Sequence, residues 1–351
     1  MREKVVGGEI AAGTALPSMQ EIARLWDSNY FTVHRALTPL VKEGLLVRHK
    51  GVGTFVAETK RKLHTVGVYY GSDIISNPRH GYAIQLHRLL YQALNAKGLK
   101  LHTWLDPREL DEAKNHILPE VSAAVENQQI QALVAIMANS RMTKSLQKLP
   151  LPVVKFGGAP DGTNVYFPNR EFLKRTLEYC ARNSLRNIAF ISSPSLLTTS
   201  ERQRKRSQSE SFSIVQNLCT KAGLNTQEAW FHIIDSGSLS RETERIKILR
   251  AYRSLLKSRR SHPDAVLVFP DNNLVTLHSA LVEEQSALDP ELKIISHSNV
   301  PLAFPMPHGP HYIGLCLKSV ADGLVKQIVD ASTGSPGTSI AADLIEPVIN
   351  K

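Results

Sequence analysis

Residues 16–56, LPSMQEIARLWDSNYFTVHRALTPLVKEGLLVRHKGVGTFV, constrain the fold more than any other stretch of this chain. Ser18 stands three residues before Glu21, the spacing at which each side chain caps the other's backbone at a helix start. Ile22, Ala23 and Leu25 then supply one apolar face. Asp27, Ser28 and Asn29 break the pattern, and Asn29 is placed to cap a second helix. There Val33, Ala36, Leu37, Leu40 and Val41 recur at helical spacing. Pro39 lies inside that helix and removes one backbone bond, and Gly44 is expected to end it in the left-handed conformation. Residues 45–47 and 54–56 read as short strands on either side of a tight turn at 50–53. Two capped helices joined by a sharp turn and followed by a glycine hairpin make the pattern of a winged helix-turn-helix.

The second helix leaves Asn29, Tyr30, Thr32, His34 and Arg35 on its polar face. Such donors, acceptors and an aromatic, near a helix start that can itself face a phosphate, are what a recognition helix needs in the major groove. Ser18 and Gln20 open the preceding helix beside it. The hairpin tip, Arg48, His49, Lys50 and Gly51, is basic and small, as a wing on the DNA backbone or minor groove requires. A small helical domain with an ordinary solvated face is the competing reading. The sum of caps, turn, glycine stop and basic hairpin makes it the weaker one.

These residues resemble the GntR family of bacterial transcription regulators. The pattern is carried by Ile10 and Gly13, Leu16-Pro17-Ser18, Val33-His34-Arg35-Ala36-Leu37, Glu43-Gly44-Leu45-Leu46 and Gly51-Val52-Gly53-Thr54-Phe55-Val56. The resemblance covers about the first 57 residues and implies a double-stranded operator as partner. At three positions where the family carries arginine this chain has Gln20, Tyr30 and His34. The usual operator therefore does not carry over, and fewer fixed charges imply a shallower salt dependence. The family's first helix begins before the residue aligned with Met1, so this helix is expected to be short or the domain to start earlier.

After a charged connector at 58–63 the periodicity changes to alternating strands and helices. Strands are expected at 65–70, 99–105, 132–137, 153–156, 187–191, 230–234, 265–269 and 293–296. Helices are expected at 82–96, 109–127 (interrupted by Pro119), 142–148, 171–183, 211–222, 241–258, 274–284 and 314–330. That order implies parallel sheets covered by helices, in two lobes with a ligand cleft at the strand ends. Residues 64–351 resemble the effector domain of LacI-type regulators, itself similar to periplasmic sugar-binding proteins. The supporting segments are Thr65-Val66-Gly67-Val68, Val165 to Asn169 leading to Arg186-Asn187-Ile188-Ala189-Phe190-Ile191, Pro263-Asp264-Ala265-Val266, and Pro301-Leu302 with the 314–321 segment. The resemblance implies effector contacts from Tyr70, Asp73, His80, Tyr82, Arg206, Asp271, Asn273, His297 and Asn299. It also departs from the family's aspartate and arginine positions, which weakens a standard sugar as the effector.

Composition removes other classes. The formal net charge of +10 favours polyanionic partners. The three cysteines form no CxxC pair, so neither a disulfide framework nor a zinc site is expected, and each reads as a small buried hydrophobe. His297, His308 and His311 have no carboxylate or cysteine at ligand spacing and read as loop residues rather than metal ligands. Residues 201–206, ERQRKR, read as a solvated loop in preference to a second basic patch. No P-loop, G-x-S-x-G or G-x-G-x-x-G follows a strand, and Gly157-Gly158 is too little for a dinucleotide site. No secretory leader or membrane span is expected. The expectation is therefore a cytoplasmic, homodimeric regulator, read as a repressor, without catalytic residues, cofactor or metal. Its effector is a small molecule, with a carbohydrate as one candidate. The alternative is a small-molecule binding protein whose DNA domain is degenerate.

Overall fold

The structure is a computed structural model. It describes the chain except residues 7–8, 12, 44, 58–62, 77–80, 109–115, 139, 158–163, 198–207, 236–239, 258–261, 303–308, 334, 336 and 347–351. Its contacts divide into two compact units, one built on Met1–Leu63 and the other on His64–Ala331 with Pro336–Lys351.

The first unit contains α1 (Arg2–Val6), α2 (Met19–Leu25), α3 (Tyr30–Lys42), β1 (Leu46–His49) and β2 (Gly53–Val56). Leu16, Ile22, Ala23, Val33, Leu37, Leu40, Leu46 and Val56 form its core. The helices start where the capping pattern placed them, at Ser18 and Asn29. Between them Asp27 takes a left-handed φ of 46°, which lets the chain reverse within a few residues. Pro39 is tolerated in the last turns of α3, where its carbonyl accepts from the Glu43 N–H. Gly44 lies outside the described residues. The antiparallel pair β1–β2 turns through Gly51, at φ 80°, where a left-handed glycine meets no steric cost.

The second unit holds two six-stranded sheets. In the first, the strands are β3 (Thr65–Tyr70), β4 (Lys100–Leu105), β5 (Ala132–Ile136), β6 (Val153–Phe156), β7 (Asn164–Tyr166) and β13 (Ile340–Ala341). They run in the order β13-β7-β6-β5-β3-β4, and every pair is parallel. Helices α4 (Gly81–Asn95), α5 (Pro119–Glu126) and α6 (Ser140–Leu146) connect them. The second sheet is formed by β8 (Ile188–Ser192), β9 (Phe231–Ile233), β10 (Ala265–Phe269), β11 (Lys293–Val300), β12 (His311–Cys316) and β14 (Leu344–Ile345). Its order is β14-β12-β11-β10-β8-β9, with β14 antiparallel. Its helices are α7 (Asn169–Arg182), α8 (Gln208–Lys221), α9 (Arg241–Leu255) and α10 (Asp271–Glu283), and α11 (Leu317–Ser332) leads back to β13. Strands β5, β8 and β10 are buried along their whole length, as strands covered by helices on both faces must be.

Three expectations are corrected. Of the helix expected over 109–127, residues 109–115 lie outside the described residues, 116–118 are not helical, and the helix starts at Pro119, because proline suits a first helical position whose N–H is unpaired anyway. The helix expected from residue 314 starts at Leu317, and 311–316 form β12. Position 314 in β12 suits glycine, since a Cβ there would lie 2.3 Å from Val300 Cγ2 across β11–β12. Cys180 and Cys219 are buried, but Cys316 is only partly so, being at the end of β12.

Candidate nucleic-acid interface and ligand cleft

The helix-turn-helix is held by reciprocal caps. Ser18 N–H donates to Glu21 Oε2 at 2.8 Å and Glu21 N–H to Ser18 Oγ at 3.2 Å. The backbone donor holds the Glu21 carboxyl below its ordinary value. Asn29 Oδ1 accepts from Thr32 N–H at 2.9 Å and from Thr32 Oγ1 at 3.1 Å. Ser18, Asn29 and Thr32 are thus engaged in building the helix starts. Gln20, Arg35, Lys50 and Gly51 are exposed.

His34 does something the sequence did not suggest. Its Nε2 lies 2.9 Å from Arg48 Nη1 on β1. A guanidinium only donates, so Nε2 is the acceptor and carries no proton. Tyr30 stacks on the His34 ring at 6.2 Å, and His49 packs edge-on to Phe55 at 5.4 Å. Arg48 Nε and Nη2 are buried and have no hydrogen-bond partner among the described residues. Residue spacing within a helix contains no information about which wing residue it will meet. The His34–Arg48 contact therefore appears only in three dimensions.

In the α/β unit, Asp271, His297 and Asn299 come together, not in loops but on the first turn of α10 and the end of β11. Asn299 Nδ2 donates to Asp271 Oδ2 at 2.8 Å, and the Asn272 N–H donates to Oδ1 at 3.0 Å. His297 Nδ1 stands 3.6 Å from Asp271 Oδ1. Burial works to raise the Asp271 carboxyl, but the His297 imidazole and these hydrogen bonds outweigh it and hold it low. Tyr82, on α4 of the first lobe, lies within electrostatic reach of this carboxylate. Burial first, and the Asp271 charge second, push its hydroxyl up to about 12. Tyr312 is raised to about 12 by the same two causes. The charge of the second lobe's Asp271 thus reaches Tyr82 of the first lobe.

The remaining candidates divide. Asn273 is fully buried and donates to Phe269 O at 3.0 Å, leaving its Oδ1 unpaired. Tyr70 is also fully buried, with its hydroxyl 3.3 Å from His87 Nδ1. Burial raises that hydroxyl and lowers His87. Asp73 accepts from Ile75 N–H at 2.9 Å and stiffens a turn. His80 and Arg206 lie outside the described residues, as do the 201–206 run, Gly158 and His308. His297 was read as a loop histidine, but it is buried on β11 among Phe167, Phe172 and Phe269, whose centroids lie 5.2, 6.1 and 5.6 Å away. Neither of its ring nitrogens has a hydrogen-bond partner among the described residues. His311 is a strand residue stacked on Tyr179 at 3.6 Å. A separate groove of about 1340 Å³ between α7, α8 and residues 341–344 contains none of the candidates. Among the described residues no group of three or more His, Cys, Asp or Glu side chains could hold a metal ion. No described helix is long and apolar enough to cross a membrane.

These features define a class: a winged helix-turn-helix unit in one chain with an α/β unit of two mostly parallel-sheet lobes that carries a polar cluster at Asp271, His297 and Asn299. Residues 1–56 match the family of bacterial regulatory proteins, gntR family, so the first unit is a GntR-type helix-turn-helix domain. The HTH-type transcriptional repressor NagR of Bacillus subtilis (strain 168) is 42% identical over 60 residues, 17% of this chain and 25% of its own. The histidine utilization repressor of Pseudomonas putida is 31% identical over 121 residues, 34% of this chain and 49% of its own. The chain thus spans a quarter to a half of the length of these curated relatives. The α/β unit has the LacI-type, periplasmic-binding-protein-like fold. The transcription regulator CcpA of Lactococcus lactis superposes with a TM-score of 0.58 at 17% identity, covering 81% of this chain and 97% of that one. The transcriptional regulator CelR–cellobiose complex gives 0.59 at 15%, covering 95% and 99%. The periplasmic binding protein/LacI transcriptional regulator of Alkaliphilus metalliredigens QYMF, complexed with D-xylulofuranose, gives 0.56 at 15%, covering 82% and 99%.

Proposed function

We propose that this chain is a transcription regulator whose GntR-type reader binds operator DNA under the control of a small molecule held between the two α/β lobes. The observation that carries the reading is the cluster of Asp271, His297 and Asn299, whose charge reaches Tyr82 of the other lobe, in a chain that also bears a capped recognition helix. A ligand that binds one lobe arrangement better than another shifts the population, and thereby the affinity of the reader for DNA. Asp271, held ionised, would accept from hydroxyl or amine donors of the effector. The sugars named in two of the related structures support a carbohydrate as one candidate. The repressor names of the sequence relatives support repression. A dimer in the cytoplasm, acting on paired half-sites and catalysing no reaction, completes the proposal.

The test is fluorescence anisotropy of the full chain on a labelled duplex from upstream of its own gene, over a range of salt and with a panel of sugars and amines. Salt-dependent, sequence-dependent binding that one ligand class weakens or strengthens is expected, with ligand response lost in Asp271→Ala. A DNA affinity that no sequence change alters would sink the regulator reading. It would leave a ligand-binding protein with a degenerate reader.

A further inference from the structure

The start of α3 presents aromatic rings to solvent. Phe31 is 81% exposed and Tyr30 47%, and the two rings meet edge-on at 5.8 Å. Phe31 heads a stripe with Arg35, Thr38 and Lys42, spaced i, i+4, i+7 and i+11 along one helix face. That face lies opposite Val33, Leu37 and Leu40, which are buried in the domain core. So Phe31 is not a core residue left slightly open; it sits on the outermost line of the helix.

The chemistry around it selects the occupant. The helix carries Arg35 and Lys42 and no carboxylate, and its capped start adds the positive end of the helix dipole. A polyanion suits this stripe better than an apolar protein groove, which would have to bury Arg35 along with Phe31. In the major groove of DNA the base-edge group that suits a phenyl ring is the thymine C5 methyl. Arginine-to-guanine pairing cannot come from position 30 or 34, because Tyr30 is aromatic and His34 is tied to Arg48.

Building on the regulator reading above, we infer that Phe31, flanked by Tyr30, is a specificity-determining residue that reads thymine methyl groups in the operator. The start of the recognition helix therefore faces thymine where an arginine-bearing reader would face guanine.

The experiment replaces each thymine of the bound upstream duplex in turn by deoxyuridine, which keeps base pairing and removes only the methyl. Binding of the full chain is followed by anisotropy. Loss of a methyl-sized apolar contact is expected to weaken binding roughly fourfold at the one or two thymines that face α3. Phe31→Ala should bind the thymine duplex with a similarly reduced affinity and show no further loss with deoxyuridine. Phe31→Leu, which keeps an apolar group, should retain part of the discrimination. Far-UV circular dichroism of both variants should match wild type, because the ring is exposed. Sequence-dependent binding that is indifferent to deoxyuridine everywhere, or a methyl effect that persists unchanged in Phe31→Ala, overturns this inference alone. Absence of any sequence-dependent binding overturns it together with the regulator reading.

Discussion

Asp106, one residue beyond β4, is 1% exposed, and its carboxylate is met from three directions. Tyr69 Oη donates at 2.6 Å, Arg108 donates through Nε at 2.9 Å and Nη2 at 2.7 Å, and the Arg108 N–H adds a bond at 3.1 Å. Burial opposes the charge, but the guanidinium and the hydroxyl outweigh it and bring the carboxyl from 3.8 to about 2. Burial and the Asp106 bond push the Tyr69 hydroxyl upward in turn. A depressed carboxyl pKa contributes stability that is present above the unfolded value and is lost as pH falls through the folded one. The interval of 3.8 to about 2 corresponds to roughly 2 kcal/mol at pH 7. Linkage leaves about half of that at pH 3. Asp106→Asn keeps the shape and removes the charge, so it should destabilise the α/β unit by about 2 kcal/mol at pH 7, narrowing toward pH 3. Urea unfolding followed by circular dichroism across pH 7 to 3 measures this through the midpoint, with the slope unchanged. Tyr69→Phe, which leaves the Arg108 pair, should cost about 1 kcal/mol. A deficit of the same size at every pH, or none at pH 7, would refute the electrostatic account and leave packing as the cause.

Two further outcomes follow from contacts rather than charge. If His34 acts by holding Arg48, His34→Ala and Arg48→Ala should each weaken operator binding by about fivefold, the worth of a hydrogen bond near 1 kcal/mol. The double variant should lose little more, and His34→Gln should restore part; additive losses in an anisotropy cycle would contradict the tether. Gly314→Ala places a Cβ 2.3 Å from Val300 Cγ2, 3.1 Å from Ser298 Oγ and 3.2 Å from the Ile345 carbonyl. β11, which carries His297 and Asn299, must shift, so a loss of about 1–3 kcal/mol and a lowered melting temperature are expected. An unchanged melting temperature would show that the strands yield freely.

Much of this was legible in the linear pattern because the signals are local. The Ser18–Glu21 box and the Asn29 cap each act within three residues, and the structure places them as the spacing predicts. The strand–helix alternation marked both sheets, since short apolar runs such as 132–136 and 265–269, set between helical patterns, suit strands covered on both sides. The misreadings occur where a long-range neighbour decides. Residues 314–316 read as the start of a helix until β11 supplies their parallel partner. His297 looked like a loop residue because nothing near it in sequence announces Phe167, Phe172 and Phe269. The exposure of Phe31 is not legible in the sequence, because an apolar residue in an amphipathic helix suits the core equally well; only the burial of Val33, Leu37 and Leu40 on the other side decides it.

Capping residues, periodicity and glycine placement determine, through bonds that close within one turn or one hairpin, that this chain begins with a winged helix-turn-helix and continues as parallel α/β layers. The sequence by itself also brought Asp271, His297 and Asn299 forward as candidates for one site. Only the tertiary structure decided what they do together. A carboxylate's charge state, an imidazole's partners and a phenyl ring's exposure depend on atoms far away in the chain. Those atoms come within a few ångströms only when the sheets and helices have packed.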